Sequence, residues 1–146
     1  MNLAYYLTPK NDVAFLYDDY TLRQGLEKMR YHRYSIIPVI TRDGKYVSTI
    51  SEGDFLWHLL CREEESGTLR QMNMKEVENQ NICTVERKTA YRPVNITAGW
   101  EELLEAAMQQ NFVPVVDDLG SFIGIVTRRD IFRHFREQFA AAEKEK

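Results

Sequence analysis

The feature that most constrains this chain is an internal repeat. Residues 124–132 combine an apolar run with a hydroxyl, two arginines and a carboxylate, and a similar stretch spans residues 47–56. Asp54 and Asp130, the carboxylates of the two stretches, are 76 positions apart, and other residues recur at that spacing. Because repetition at a fixed distance indicates a duplicated structural unit, we expect a fold built from two related halves.

The register of this repeat can be followed along both halves of the chain. At the spacing of 76, the matched pairs are Pro38 with Pro114, Gly44 with Gly120, and Ser51 with Thr127. Upstream, at a spacing of 78, they are Leu22 with Trp100 and Leu26 with Leu104. We therefore place the first copy at residues 5–64, a connector at 65–80, the second copy at 81–138 and a charged tail, expected to fray, at 139–146.

The hydrophobic pattern in each copy alternates between short strands and amphipathic helices. For the first copy it predicts a strand at 13–17, a helix capped by Thr21, strands at 35–40 and 46–50, and a helix from Ser51 through Leu60 to about Glu63. For the second copy it predicts a strand at 93–96, a helix at 100–108, strands at 112–116 and 122–126, and a helix from Thr127 through Phe132, Phe135 and Phe139. The pattern also predicts a short helix in the connector, around residues 74–77.

The predicted fold class is α+β, with two β-α-β-β-α repeats packed by pseudo-two-fold symmetry. A half of ~70 residues could bury only a modest core by itself, so we expect the two halves to share one. This packing would place the two Asp-bearing helix starts in related clefts. Pro38 is expected at the start of its strand or at a sheet edge, because proline has no N–H to donate to a neighbouring strand.

Composition excludes several classes of protein. The chain has 146 residues, of which 44% are hydrophobic and 28% charged, which is typical of a globular protein. The net charge of −3 argues against a nucleic-acid partner. No apolar run approaches the ~20 residues of a membrane span, and the first residues lack the basic flank of a signal peptide, so a cytoplasmic location is expected. Two cysteines are too few for a disulfide framework.

Two duplicated motifs identify a family. One is an apolar-Pro-Val strand, Ile37-Pro38-Val39 and Val113-Pro114-Val115, and the other is a strand-to-helix motif, Ile50-Ser51-Glu52-Gly53-Asp54 and Val126-Thr127-Arg128-Arg129-Asp130. With these motifs in matching register, the chain resembles a tandem pair of CBS domains, called a Bateman module, over about residues 5–138.

The resemblance implies a regulatory module rather than an enzyme. Members of the family bind adenine nucleotides such as AMP, ADP, ATP, S-adenosylmethionine or cyclic di-AMP, commonly form homodimers, and regulate a partner protein. The residues agree with a non-catalytic role, because we find no nucleophile–base pair and no phosphate-binding loop of the Walker type, and the histidines do not have metal-ligand spacing. We therefore expect an adenine nucleotide ligand, no catalytic cofactor and no metal.

The second copy carries the better candidate site for such a ligand. A helix start presents free N–H groups to phosphate, and Thr127, Arg128 and Arg129 add a hydroxyl and two guanidinium groups there. Asp130 can accept hydrogen bonds, and the resemblance gives it the ribose hydroxyls as donors. The adenine base would lie beside the apolar residues before Pro114. The other predicted ligand-binding residues are Phe112, Val113 and Pro114 on one wall, Tyr91 and Pro93 on the opposite wall, and Thr8, Ile37, Ser51 and Asp54.

The first copy keeps the hydroxyl and the carboxylate but has Glu52 and Gly53 where the second has two arginines. Since Glu52 would repel phosphate, we expect the site at Ser51 and Asp54 to be weaker or empty.

Two alternatives stay open from the sequence. Ser51 with Asp54, and Thr127 with Asp130, also have the spacing of helix capping boxes, in which they only satisfy backbone donors. The chain as a whole could be a constitutive dimerisation or scaffold module whose nucleotide sites have degenerated.

Overall fold

The structure, a computed structural model, describes residues 2–62, 67–88 and 90–145, without the side chains of residues 61 and 62. In chain order the strands are β1 (Thr8–Pro9), β2 (Leu16–Tyr17), β3 (Ile36–Ile40), β4 (Tyr46–Ser51), β5 (Leu60–Arg62), β6 (Leu69–Gln71), β7 (Val94–Asn95), β8 (Phe112–Val116) and β9 (Phe122–Thr127). The helices are α1 (Leu22–His32), α2 (Glu52–Leu59), α3 (Met74–Asn79), α4 (Trp100–Gln109) and α5 (Arg128–Lys144). The α+β class predicted from the sequence is confirmed.

The chain forms two compact units, one of residues 14–90 and one of residues 1–13 together with 91–146. Unit 14–90 has a three-stranded sheet in the order β2-β3-β4, with β2 parallel and β4 antiparallel to β3. Its core is apolar and includes Leu16, Leu22, Ile37, Ile50 and Phe55. As predicted, Thr21 caps α1, and it does so in a capping box with Gln24.

Pro38 lies in the interior of β3, which is the middle strand, and not at a strand start or sheet edge as predicted from the sequence. The short strand β2 pairs with β3 only at Val39 and Ile40. At Pro38, therefore, β3 has a partner on one side only, where it faces Thr49 of β4. A missing N–H is tolerated there for the same reason that it is tolerated at an edge.

The second unit has a four-stranded sheet in the order β1-β9-β8-β7. Strands β8 and β9 form an antiparallel hairpin, while β1 pairs antiparallel to β9 and β7 pairs parallel to β8. Helices α4 and α5 supply Leu103 and Ile131 to the core, and the segment before β1 supplies Leu3, which is fully buried.

The segment that leads into each repeat packs in the core of the other repeat. Leu3 lies in the core that contains Val113 and Val126, and Ile82 lies in the core that contains Leu16 and Leu22. The repeat boundaries at 64/65 and 80/81 describe the sequence pattern and remain a prediction. The compact units begin and end at other positions, because each lead-in segment buries its apolar residues in the core of the other repeat.

Some element ends differ from the sequence prediction. Helix α2 ends at Leu59, and Leu60 instead pairs with Gln71 in the β5–β6 hairpin, which the sequence did not indicate. Helix α5 continues through most of the predicted fraying tail to Lys144. Of the three phenylalanines that mark this helix in the sequence, Phe135 packs against the core, whereas Phe132 and Phe139 are each 70% exposed.

The helix predicted in the connector is present as α3. None of the helices in the described part of the chain has the length and apolar character needed to span a bilayer.

Candidate functional site

The start of α5 is organised by a capping box between Thr127 and Asp130. The Asp130 backbone N–H donates to Thr127 Oγ1 at 3.2 Å, and the Thr127 hydroxyl donates to Asp130 Oδ2 at 2.7 Å. The Thr127 N–H also donates to Oδ2, at 3.4 Å. The capping interpretation of this motif is therefore confirmed, and it uses one of the two carboxylate oxygens of Asp130.

The other oxygen of Asp130 remains available to a ligand. Among the described residues, the only partner of Oδ1 is the Arg133 guanidinium, at 3.9 Å, and the Asp130 side chain is 23% exposed. Asp130 lines an open cleft of about 240 Å³. The other lining residues are Tyr5, Tyr6, Leu7, Thr8, Arg133, His134 and Glu137. The cleft thus combines aromatic rings, a hydroxyl and both signs of charge around an accepting oxygen.

Strand β1 brings Thr8 to this cleft. Thr8 is paired with Ile125, and Pro9 with Gly124, in the β1–β9 ladder. The approach is close, since a Cβ on Gly124 would lie 2.2 Å from the Thr8 carbonyl oxygen. The predicted contribution of Thr8 to a ligand site therefore depends on a glycine in the matching strand.

Sequence reasoning missed the group that holds the lead-in segment onto α5. The Tyr6 hydroxyl is 2.6 Å from His134 Nδ1, and the His134 ring stacks on Trp100 with ring centroids 4.4 Å apart. A signal existed in the sequence, because His58 and His134 recur at the repeat spacing of 76. Among the described residues, no cluster of three or more His, Cys, Asp or Glu could hold a metal ion.

The two arginines of the motif have different surroundings. Arg128 Nε donates to the Ala107 carbonyl at 2.8 Å, and other guanidinium nitrogens lie 3.4 Å from the Met108 carbonyl and Asn111 Oδ1. Arg128 therefore satisfies carbonyls at the C-terminal end of α4. Arg129 is exposed and, within the described part of the chain, makes no hydrogen bond or ion pair, so its guanidinium can turn toward an anion.

The predicted base-binding residues divide into surface and core. Phe112 lies opposite Thr127 in the sheet, and the Tyr91 ring meets it edge to face at a centroid distance of 5.2 Å. Pro93 is exposed, whereas Val113 is fully buried and Pro114 lies in the interior of β8. Tyr91 and Phe112 thus lie near the start of α5, while Val113 faces the core.

At the equivalent site in unit 14–90, the protein itself supplies hydrogen-bond donors to both oxygens of the carboxylate. Asp54 Oδ2 accepts from the Ser51 N–H at 2.9 Å in a capping box, and Oδ1 accepts from the Lys88 N–H at 3.0 Å. Asp54 is only 8% exposed, and Ile37, also predicted here, is fully buried in the core. Both carboxylate oxygens of Asp54 are therefore used within the unit.

A larger open cleft of about 450 Å³ nevertheless adjoins Asp54. The other residues that line it are Trp57, His58, Glu86, Arg87 and Lys88. The Arg87 guanidinium donates to Ser48 Oγ at 3.1 Å and also binds the Ile82 and Val85 carbonyls. Its buried Nε has no hydrogen-bond partner among the described residues.

The family model and the similar solved structures agree on one family. The CBS domain model matches residues 6–60 and 89–137, which is more than half of the chain. A crystal structure of CbpB in complex with c-di-AMP is 27% identical, with a TM-score of 0.82, over 100% of this chain and 91% of that one. The structure of CbpB from Streptococcus agalactiae is also 27% identical, with a TM-score of 0.78, over 99% and 89% of the two chains.

A curated relative has a similar level of identity. An uncharacterized protein of Methanocaldococcus jannaschii is 28% identical in an alignment that covers 80% of this chain and 82% of the relative.

Proposed function

The chain belongs to the CBS domain family, and from that premise we propose that it is a regulatory module that binds an adenine nucleotide at the cleft beside Asp130 and modulates a partner protein. We place the module in the cytoplasm and expect it to act as a homodimer. The ligand changes the affinity for the partner only to the extent that it binds two states of the module differently.

One observation carries this proposal. The Asp130 side chain lines the cleft and is fixed by its capping bonds through Oδ2, while Oδ1 has, among the described residues, a single long contact with Arg133. A carboxylate oxygen held in this way is pre-organised to accept hydrogen bonds from the two hydroxyls of a ribose. Exposed Arg129 at the helix start would then meet the phosphate.

Cyclic di-AMP is the first nucleotide to test. The CbpB structure that contains c-di-AMP covers the whole of this chain at 27% identity. AMP, ADP and ATP share the adenine and ribose groups that Asp130 and the nearby aromatic rings would contact, so they form the comparison set.

The test is calorimetric titration of these nucleotides into the wild-type protein and the Asp130→Asn variant. Asparagine can still cap α5 but has lost the charge that strengthens hydrogen bonds to a diol, so we expect the affinity to fall by about tenfold to a hundredfold. Asp54→Asn is the matched variant in the other unit and should change the affinity much less. If Asp54→Asn alone abolished binding, the assignment to Asp130 would be wrong.

The arginine pair provides a second prediction for the same site. Arg129→Gln should weaken nucleotide binding by about fivefold to tenfold, because its exposed guanidinium has no partner among the described residues and is free to bind phosphate. Arg128→Gln should have a smaller effect on affinity but should lower the free energy of unfolding by about 1 kcal/mol, since its guanidinium satisfies helix carbonyls. Titration and urea unfolding of both variants measure the two effects, and equal losses of affinity would contradict the distinction.

A scaffold function without nucleotide is the second candidate. It is favoured by the carboxylate of Asp54, whose two oxygens are both used within its unit, and by the exposed Glu52 beside it. A thermal-shift screen separates the two candidates, because a nucleotide that binds only the folded state must raise the unfolding temperature. Absence of a shift with every adenine nucleotide, in a protein that still dimerises, would favour the scaffold.

A further inference from the structure

We propose that His134 recognises the adenine base of the nucleotide by donating a hydrogen bond from Nε2 to a ring nitrogen, and that Tyr6 is the positioning residue that fixes its orientation. The inference rests on the nucleotide site proposed above, to which it adds one ligand-binding residue and one positioning residue. Neither residue is part of the duplicated motifs that identify the family.

The imidazole ring of His134 has a fixed orientation beside the cleft. The Tyr6 hydroxyl lies 2.6 Å from Nδ1, and the ring stacks on Trp100 with centroids 4.4 Å apart and planes inclined by 24°. The Tyr6 ring also meets it edge to face at a centroid distance of 4.9 Å. His134 and Tyr6 both line the cleft that contains Asp130. A side chain held in this way loses little conformational freedom when a ligand binds.

The contact with Tyr6 determines which nitrogen of His134 can donate. In a neutral imidazole, one nitrogen carries a hydrogen and the other has a lone pair. A phenol oxygen is a weaker acceptor than an imidazole lone pair, so the Tyr6 hydroxyl donates and Nδ1 accepts. The ring hydrogen is then on Nε2. Among the described residues, Nε2 has no hydrogen-bond partner, so its N–H is available to a ligand.

The position of His134 along α5 selects the base as the group that it contacts. In the proposed site, Arg129 at the helix start takes the phosphate and Asp130 takes the ribose. His134 is one turn, or about 6 Å, further from the helix start than Asp130. Because the phosphate and the base are attached on opposite sides of the ribose ring, the base points toward this second turn. Tyr5, which is 84% exposed, lines the same cleft and adds an aromatic ring on which a purine can stack.

The wall predicted from the sequence is the alternative position for the base. Tyr91 and Phe112 lie near the start of α5, where the proposed site takes the phosphate. The Tyr91 hydroxyl also accepts a hydrogen bond from the Asn111 N–H at 3.0 Å. Substitution of His134 separates the two positions, because only a base at the second turn of α5 contacts it.

The matched histidine of the other unit presents a different nitrogen. His58 is 76 positions before His134 and lines the cleft beside Asp54. Its Nε2 lies 2.8 Å from Oε1 of Gln80, which can only accept, so Nε2 carries the hydrogen and donates it within the unit. The remaining nitrogen, Nδ1, then has no hydrogen while the ring is neutral. An available N–H is therefore specific to the cleft beside Asp130, as is an available carboxylate oxygen.

Two substitutions separate the two nitrogens of His134. The asparagine amide replaces Nδ1, so His134→Asn keeps an acceptor for Tyr6 and loses the donor to the base. The longer glutamine reaches the position of Nε2, so His134→Gln keeps a donor to the base and loses the contact with Tyr6. Calorimetric titration of cyclic di-AMP and AMP, in mildly alkaline buffer where imidazole is neutral, should show binding weakened about fivefold to tenfold in His134→Asn and about twofold in His134→Gln. A histidine that only secured the lead-in segment would give the reverse order.

Adenosine distinguishes the base from the phosphate as the group that His134 contacts. We expect His134→Asn to weaken the binding of adenosine and AMP by the same factor. Deaza analogues of AMP, each lacking one ring nitrogen, identify the acceptor. The analogue that lacks it should bind the wild-type protein about fivefold to tenfold more weakly than AMP does, and should bind His134→Asn as well as AMP does.

Tyr6→Phe tests the positioning role. The variant keeps the aromatic ring and removes the hydroxyl, so we expect AMP binding to weaken by about threefold. Nitrogen NMR of the His134 side chain should show the hydrogen on Nε2 in the wild-type protein and a mixture of both tautomers in Tyr6→Phe. His58→Asn is the matched control in the other unit and should leave the affinity unchanged. Thermal unfolding verifies that each variant is folded.

Four results would overturn the inference. Wild-type affinity in His134→Asn, in a protein whose affinity Asp130→Asn lowers, would remove His134 from a nucleotide site that itself stands. An equal loss in His58→Asn would show that the effect does not arise in this cleft. A loss seen with AMP and not with adenosine would assign His134 to the phosphate. Absence of binding of every adenine nucleotide to the wild-type protein would overturn the proposed function and this inference together.

Discussion

Replacement of Gly124 with valine should release β1 from the sheet, and residues 3–9 with it, and lower the free energy of unfolding by about 2–3 kcal/mol, within the usual range for overpacking. A side chain at this position would begin with a Cβ 2.2 Å from the Thr8 carbonyl oxygen and 2.9 Å from Leu7 Cδ1. Gly124 also has a backbone φ of 155°, which residues with a side chain rarely adopt. The β1–β9 pairing must therefore open. Leu3, which belongs to the same segment, then loses its burial in the core.

Urea unfolding and amide hydrogen exchange of residues 3–9 measure this effect. The control is Gly53→Ala, since the nearest atom to a Cβ there is Ser51 Oγ at 3.7 Å. Gly53 lies within α2, so alanine should be neutral or stabilise the protein by up to about 1 kcal/mol. Unchanged exchange at residues 3–9 in Gly124→Val would mean that the close approach to Thr8 does not limit this position.

Substitution of the two duplicated aspartates should lower the stability of the protein by different amounts. We expect Asp54→Ala to lower the free energy of unfolding by about 2–3 kcal/mol, because it leaves the backbone N–H groups of Ser51 and Lys88 without their acceptor. Asp130→Ala should cost only about 1 kcal/mol, because little more is lost than the hydrogen bonds that Oδ2 accepts from Thr127.

Nucleotide affinity should show the opposite order, with the larger loss in Asp130→Ala. Urea unfolding and calorimetric titration of the same two variants therefore test whether duplicated residues have divided into a structural and a ligand-binding role. Equal changes in stability for the two variants would contradict this division.

Much of the fold could be predicted because local patterns determine it. The strand at 112–116 and the helix starts at Thr21, Ser51 and Thr127 follow from the apolar runs and capping residues that the sequence displays. The β5–β6 hairpin could not be predicted in the same way, because Leu69, Arg70 and Gln71 are all exposed and have no alternating pattern.

The candidate site was predictable in its residue types but not in their partners. The repeat identified Asp54 and Asp130, yet only the structure distinguishes a carboxylate with both oxygens used from one with an available oxygen. Arg128 illustrates the same limit, since its partners are the carbonyls where α4 ends. Contacts between distant segments decide these roles, and no local pattern encodes them.

The packing of the lead-in segment has a consequence for the order in which the chain acquires its structure. Tyr6 and His134 are 128 positions apart, so residues 3–9 leave the ribosome long before the strand and helix that receive them. Residues 14–90 can collapse during synthesis, whereas the early segment must wait with Leu3 and Tyr6 exposed. A permuted chain that begins at Ala14, with its original termini joined, would make both units contiguous, remove this wait and shorten the mean sequence separation of the contacts.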